Sequence, residues 1–135
     1  MRAAQFASLI AMVAGVLMGG AVVADPKTPD TSCQGTGDQT EITDCYAREF
    51  RKTDAQLNAV YKSLLVALDA EHQTLLRKAQ RAWLTFRDAD CNLDASEALH
   101  GSMEGMLVFM CMDAMTEKRI KDLQSLNESL ADYMK

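Results

Sequence analysis

From Gln39 to Lys135 the chain contains no proline and only two glycines, Gly101 and Gly105. Proline breaks a helix from within and glycine weakens one. A stretch this long without them can run as long helices. The two glycines lie close together, so a single glycine-bearing turn between helices is expected. Both prolines, Pro26 and Pro29, fall in residues 25–38 beside Gly35, Gly37 and several Ser and Thr. That composition reads as an N-terminal arm or linker, tied down only by Cys33.

Apolar spacing supports the helices. Ile42, Tyr46, Phe50, Thr53, Leu57, Val60, Tyr61, Leu64 and Leu68 recur at intervals of three and four, one face of a first helix. Thr40 or Thr43 is placed to cap its start. A break near Asp69-Ala70 opens a second helix, whose stripe is Leu75, Ala79, Ala82, Trp83, Phe86 and Leu93. A third helix is expected from about Ser102, with Ser102 as its cap. Its stripe is Val108, Met112, Met115, Arg119, Leu123, Leu126 and Leu130. Amphipathic helices cannot bury their stripes alone, so residues 39–135 are expected to form one all-α bundle of about three helices. No strand pattern or repeat is present.

Two charges interrupt these stripes. Asp90 falls in the second and Arg119 in the third. A buried lone charge costs several kcal/mol, so each needs a partner. They could pair with each other, or Arg119 could meet Asp54 or Asp88, as a salt bridge that fixes helix register.

The N-terminus has its own logic. Residues 3–23 carry no charge and are mostly apolar after Arg2, and Val22-Val23-Ala24 ends the run with small or branched residues. This is the order of a secretory signal peptide, with cleavage expected after Ala24. The first cysteine, Cys33, is too far from the apolar run for a lipid anchor. A periplasmic or secreted protein with no stable membrane anchor is expected.

Export gives the cysteines a meaning. Cys33, Cys45, Cys91 and Cys111 form an even set in a short exported chain, which reads as a disulfide framework. Four cysteines allow three pairings. The pairing of sequence neighbours, Cys33–Cys45 and Cys91–Cys111, is preferred, each bridge being worth on the order of 3 kcal/mol. Zinc-ligand spacing is absent: there is no Cys-x-x-Cys, and the histidines, His72 and His100, lie far apart.

Charge narrows the partner. Lys and Arg number 14 against 19 Asp and Glu, and the apolar leader takes only Arg2. An acidic chain suits neither nucleic-acid phosphates nor an anionic membrane, and suits a cationic partner. No nucleophile, base and orienting group form a recognisable set, and no phosphate-binding glycine loop occurs. A non-catalytic protein without cofactor is expected. Met103, Met106, Met110, Met112 and Met115 are dense enough to raise Cu(I) binding, because thioethers suit that ion. They do not share one helical stripe, and methionine is an ordinary gap-filler in cores.

Three segments carry a family resemblance. Asp54-Ala55-Gln56-Leu57-Asn58-Ala59-Val60-Tyr61 is similar to an Asp-x-x-Leu-Asn-x-x-Tyr segment. Gln80-Arg81-Ala82-Trp83-Leu84-Thr85-Phe86-Arg87-Asp88-Ala89-Asp90-Cys91 is similar to Gln-x-x-Trp-x-x-(Phe/Tyr)-Arg-Asp-x-x-Cys. Cys111, Thr116 and Arg119 resemble a Cys…Thr-x-x-Arg ending. In this order they resemble the LprI-type lysozyme-inhibitor domain over roughly Cys33 to Leu126. His100-Gly101-Ser102 stands where that family commonly has Gly-Gly-Ser, and the lipid-anchoring cysteine of the family's namesake is missing.

The resemblance implies an exported protein that binds and inhibits a lysozyme, the cationic partner suggested by charge. Its signature residues are expected to be structural. Trp83, Phe86 and Tyr61 are taken as core aromatics, Asn58 as a hydrogen-bonding residue, and Arg87 and Asp88 as a bridge between helices. The candidate binding element is the turn His100-Gly101-Ser102-Met103-Glu104-Gly105, which a Cys91–Cys111 bridge would pin on both flanks. A general envelope interaction protein is the alternative.

Overall fold

The computed structural model describes Cys33 and residues 37–133. The expected signal peptide and most of the arm lie outside these residues. Three helices make the fold: α1 (Gln39–Ala67), α2 (Ala70–Asp94) and α3 (Glu104–Tyr133). A short 3-10 turn, Ala95–Ala98, follows α2 directly. No strand occurs among the described residues.

The start of α1 is set by Asp38, not by Thr40 or Thr43. Asp38 accepts from the Thr40 and Glu41 N–H groups at 2.8 and 3.0 Å, and the Glu41 carboxylate accepts from the Asp38 N–H at 3.2 Å. This reciprocal box satisfies donors that a helix start leaves open. Thr43 lies one turn too far in, and its hydroxyl donates to the Gln39 carbonyl instead. The α1–α2 turn is equally economical. Leu68 leaves the helix in extended conformation, and Asp69 caps α2 by accepting from the His72 N–H at 2.9 Å. Gln73 donates to the freed Leu68 carbonyl.

α3 is the central helix. α1 packs along it and α2 lies on another side; the α1 and α2 backbones approach each other less closely and meet through side chains such as Arg87 on Asp54 and Phe50. α2 runs antiparallel to α3: Gln80 meets Arg119, Arg87 meets Thr116, and Cys91 is bonded to Cys111. α1 starts beside the start of α3, where Gln39 approaches Met106 and a Cβ on Gly105 would come within 3.1 Å of Thr43. Leu57, Leu64, Leu68, Leu76 and Leu123 form the core, with Tyr61, Trp83, Ile120 and Leu130 packed against it. The first-helix stripe therefore faces inward as its spacing predicts.

The second helix does not follow its predicted stripe. Leu75, Phe86 and Leu93 are 58%, 56% and 70% exposed, and Ala79 and Ala82 are also exposed. The inward residues are Leu76, Gln80, Arg87 and Cys91, with Trp83 partly buried. At about 100° per residue this is a turn of the helix by roughly one residue. Phe86 is thus a surface residue, not a core aromatic. Hydrophobicity favours one face, but the tether at Cys91 and the partners awaiting Gln80 and Arg87 select the other. On α3, Thr116 is fully buried although it is polar, while Leu126 at the end of the predicted stripe is 40% exposed.

Both disulfides join sequence neighbours, Cys33–Cys45 and Cys91–Cys111, with Cα–Cα distances of 5.6 and 5.5 Å. The first pins the arm to α1. The second ties the end of α2 to the second turn of α3.

Candidate functional site

The charged residues between the helices meet around Arg87. Its position on α2 puts its guanidinium at the junction of all three helices. Nε donates to Asp88 Oδ1 at 2.9 Å, and Nη1 donates to Asp54 Oδ1 and Thr116 Oγ1, both at 3.2 Å. The Phe50 and Trp83 rings lie 5.1 and 5.3 Å from its central carbon. Planar, delocalised and weakly hydrated, an arginine can be buried in this way where a lysine could not. The Thr116 hydroxyl in turn donates a hydrogen bond to the Met112 carbonyl at 2.6 Å. Asp54 is steadied from the other side by Asn58, which donates to its carboxylate and to its backbone carbonyl.

Trp83 separates this centre from a second one. Arg119 lies 5.6 Å from the Trp83 ring centre and donates from Nε to Gln80 Oε1 at 3.0 Å. Burial pulls the Arg119 guanidinium below its ordinary value, and Asp122 opposes that shift. Arg119 therefore meets neither Asp90 nor the carboxylates of Asp54 and Asp88. Those two belong to Arg87, because Arg119 lies nearly a full turn further along α3 from Thr116 and faces Gln80. The hydrogen bonds of the two centres link the three helices to one another.

The exposed element follows the C-terminal end of α2. The chain leaves the 3-10 turn at Leu99, turns sharply at His100 and enters α3 at Glu104. His100 has φ 62°, a left-handed conformation that costs a non-glycine residue about 1–2 kcal/mol. Its N–H donates to Glu104 Oε2 at 2.8 Å, and the Gly101 N–H donates to the Ala98 carbonyl at 2.7 Å. A Cβ on Gly101 would sit 2.9 Å from that same carbonyl oxygen, which excludes larger residues there. Glu104 thus closes the turn from inside. His100, Gly101, Ser102 and Met103 remain exposed on it, and Cys91–Cys111 holds its base.

The methionines are dispersed around this end. Met115 places its sulfur 3.5 Å from Cys91 Sγ, packed against the disulfide, and Met106 faces Gln39 at 3.6 Å. Met103 and Met110 face solvent. Among the described residues, no three His, Cys, Asp or Glu side chains are grouped to hold a metal. No described helix is long and apolar enough to cross a membrane.

A family model described as lysozyme inhibitor LprI matches residues 30–123. The chain belongs to the LprI family. It is similar to an uncharacterised protein of Rhizobium meliloti (strain 1021), 35% identical over 119 residues that cover 78% of this chain and 86% of the relative. It is also similar to the uncharacterised protein YecT of Escherichia coli (strain K12), 32% identical over 107 residues covering 68% of this chain and 66% of YecT. No solved structure matches it.

The three LprI-like segments converge in space. Asp54 and Asn58 from the first, Gln80, Trp83, Arg87 and Asp88 from the second, and Thr116 and Arg119 from the third make up the two arginine centres. Leu57 and Tyr61 belong to the neighbouring apolar core. Of the second segment's signature residues, Phe86 alone takes no part in either centre or in the disulfide and faces solvent. Sequence reasoning placed Phe50 on the inward stripe of the first helix but not against Arg87, whose guanidinium lies over its ring; Phe109 is 6.0 Å away. A signal for the correct face of α2 was present: Cys91 must face its bridge partner, and counting back by helical turns from it gives Arg87, Trp83 or Leu84, Gln80 and Leu76.

Proposed function

We propose that this protein binds a lysozyme and inhibits it through the turn from Leu99 to Glu104, without catalysing a reaction itself. Membership of the LprI family supports an inhibitor and a protein partner. The observation that carries the choice of surface is the turn itself. It projects exposed polar groups, His100 and Ser102, from a base fixed by a disulfide and by the Glu104 carboxylate. A preorganised loop loses little conformational freedom on binding.

The chemistry is complementary. A lysozyme cleft holds two carboxylates, and His100 and Ser102 can donate hydrogen bonds to carboxylates. Glu104 is already engaged with the His100 N–H, so it is turned away from such a target. The acidic chain would speed its encounter with a basic lysozyme. Two disulfides fit an oxidising compartment, where lysozymes act. Export through the N-terminal apolar segment, with cleavage after Ala24, completes this reading.

The test is a lysozyme assay with the purified exported protein and its His100→Gly/Ser102→Ala variant. Glycine accepts the left-handed backbone at position 100, so the turn keeps its shape while both donors disappear. Inhibition by wild type that is lost in the variant supports the proposal. Absence of inhibition by wild type against several lysozyme types overturns the function, and full inhibition by the variant overturns the loop. Inhibition should also weaken as salt screens the encounter.

A further inference from the structure

All four cysteines are held in disulfides, so no thiol is left to meet an oxidant. The reduced sulfur of the described residues is the thioether of Met103, Met106, Met110, Met112 and Met115. Oxidation of a thioether follows its exposure. The fold exposes these five unequally. Met115 has its sulfur 3.5 and 3.9 Å from the two sulfurs of Cys91–Cys111 and is half-buried against them. Met106 is half-buried with its sulfur toward Gln39, and Met112 is half-buried as well. Met103 is 47% exposed and Met110 39%.

The two exposed methionines differ in setting. Met110 stands on α3, one residue before the bridged Cys111. Met103 stands in the turn, beside the exposed Gly101 and Ser102, and is no part of the apolar core. An oxidant reaches its sulfur without any helix opening. The turn keeps its shape through backbone groups: the His100 N–H on Glu104, the Gly101 N–H on the Ala98 carbonyl, and the Leu107 N–H on the Met103 carbonyl. A change at the Met103 sulfur leaves all three in place.

We propose that Met103 is a reversible oxidation site for hydroperoxides, and that its sulfoxide weakens lysozyme binding; the second half rests on the turn being the inhibitory element. The sulfur lone pair attacks one peroxide oxygen and the O–O bond breaks. The departing hydroxide takes the proton left on the transferred oxygen and leaves as water. One S–O bond forms, the sulfur gives up two electrons, and the peroxide is reduced. The side chain changes from apolar to polar. The new oxygen is the negative end of a strong dipole and lies next to His100 and Ser102 in sequence. It repels the carboxylates of a lysozyme cleft and competes with them for the same two donors.

The test treats the purified exported protein, Met103→Leu and Met110→Leu with hydrogen peroxide over time, removing the peroxide with catalase before each assay. Peptide mass spectrometry should find oxygen on Met103 before Met106, Met112 and Met115, with circular dichroism unchanged at that stage. Lysozyme inhibition by each protein is compared with its own untreated sample. Wild type and Met110→Leu should weaken about tenfold or more, as when a polar group is buried against an unsuitable partner. Met103→Leu should not respond to peroxide. Methionine sulfoxide reductases for both epimers should restore the wild type. Oxidation of the half-buried methionines before Met103 overturns the site. Oxidised Met103 with unchanged inhibition, or a Met103→Leu variant that stays sensitive, overturns the control of binding. A wild type that inhibits no lysozyme before treatment overturns the inhibitory reading and that control with it, while the order of oxidation still decides the site.

Discussion

Arg87 of α2 reaches Asp54 of α1 across a gap that the two backbones do not close, with Nη1 3.2 Å from Oδ1. Thr116 of α3 accepts from the same nitrogen at 3.2 Å. One guanidinium therefore joins all three helices. Its side chain is only 8% exposed, while Asp54 keeps partial access to water.

Replacing Arg87 with Met should be among the most damaging single changes in the protein. The apolar stem is kept, but Asp54 and Thr116 lose their partner. Thr116 is left buried without this donor, while Asp54 and Asp88 can turn to water, so the loss should be about 1–3 kcal/mol. Arg87→Lys should recover little, because an ammonium cannot fork between Asp88, Asp54 and Thr116. Urea melts followed by circular dichroism check both.

Arg119→Met should act differently. It removes one hydrogen bond to Gln80 and the stacking on Trp83, a loss of about 1–2 kcal/mol. Tryptophan fluorescence should change, since Trp83 is the only tryptophan. Lysozyme inhibition at a temperature where the variant is folded should be unchanged. Loss of inhibition with an unchanged melting curve would make Arg119 a binding residue.

His100→Gly should stabilise the fold. Glycine adopts φ 62° without the penalty that His100 carries, and the Glu104 bond to the backbone N–H survives. The extra freedom of glycine in the unfolded chain offsets part of the gain, leaving about 0.5–1 kcal/mol. A higher thermal midpoint is the expected reading, and a lower one would mean that the imidazole itself contributes.

Replacing both Cys91 and Cys111 with Ala should cost about 3 kcal/mol through the added freedom of the unfolded chain. It should also loosen the turn from Leu99 to Glu104. Amide hydrogen exchange should rise there more than at the α1–α2 turn, which no disulfide holds.

Acid should weaken the start of α2. The His72 N–H, then the His72 ring, hold the Asp69 carboxyl below its ordinary value. A group with a lowered folded pKa contributes fully above its unfolded value, about 3.9, and loses that contribution as pH falls through the folded one. Stability should therefore decline below about pH 4 more steeply in wild type than in Asp69→Asn. Parallel acid titrations of the two proteins check this.

The sequence by itself determined the elements. The absence of proline after Pro29, the placement of Gly101 and Gly105, and the stripe from Ile42 to Leu68 set three helices and their order, because these are local properties of the backbone and of helical spacing. The neighbour pairing of cysteines was also within reach, though spacing left two other pairings open. Only the tertiary structure decided which way α2 faces. Its two candidate stripes, Leu75–Phe86–Leu93 and Leu76–Gln80–Arg87–Cys91, have the same helical period, and hydrophobicity alone favours the first. The second is buried because Cys91 is bonded to α3, and because Asp54, Thr116, Arg119 and two aromatic rings converge to satisfy Arg87 and Gln80. Those partners lie on other helices, and the energy of burying a polar side chain depends on them and not on its own sequence neighbourhood.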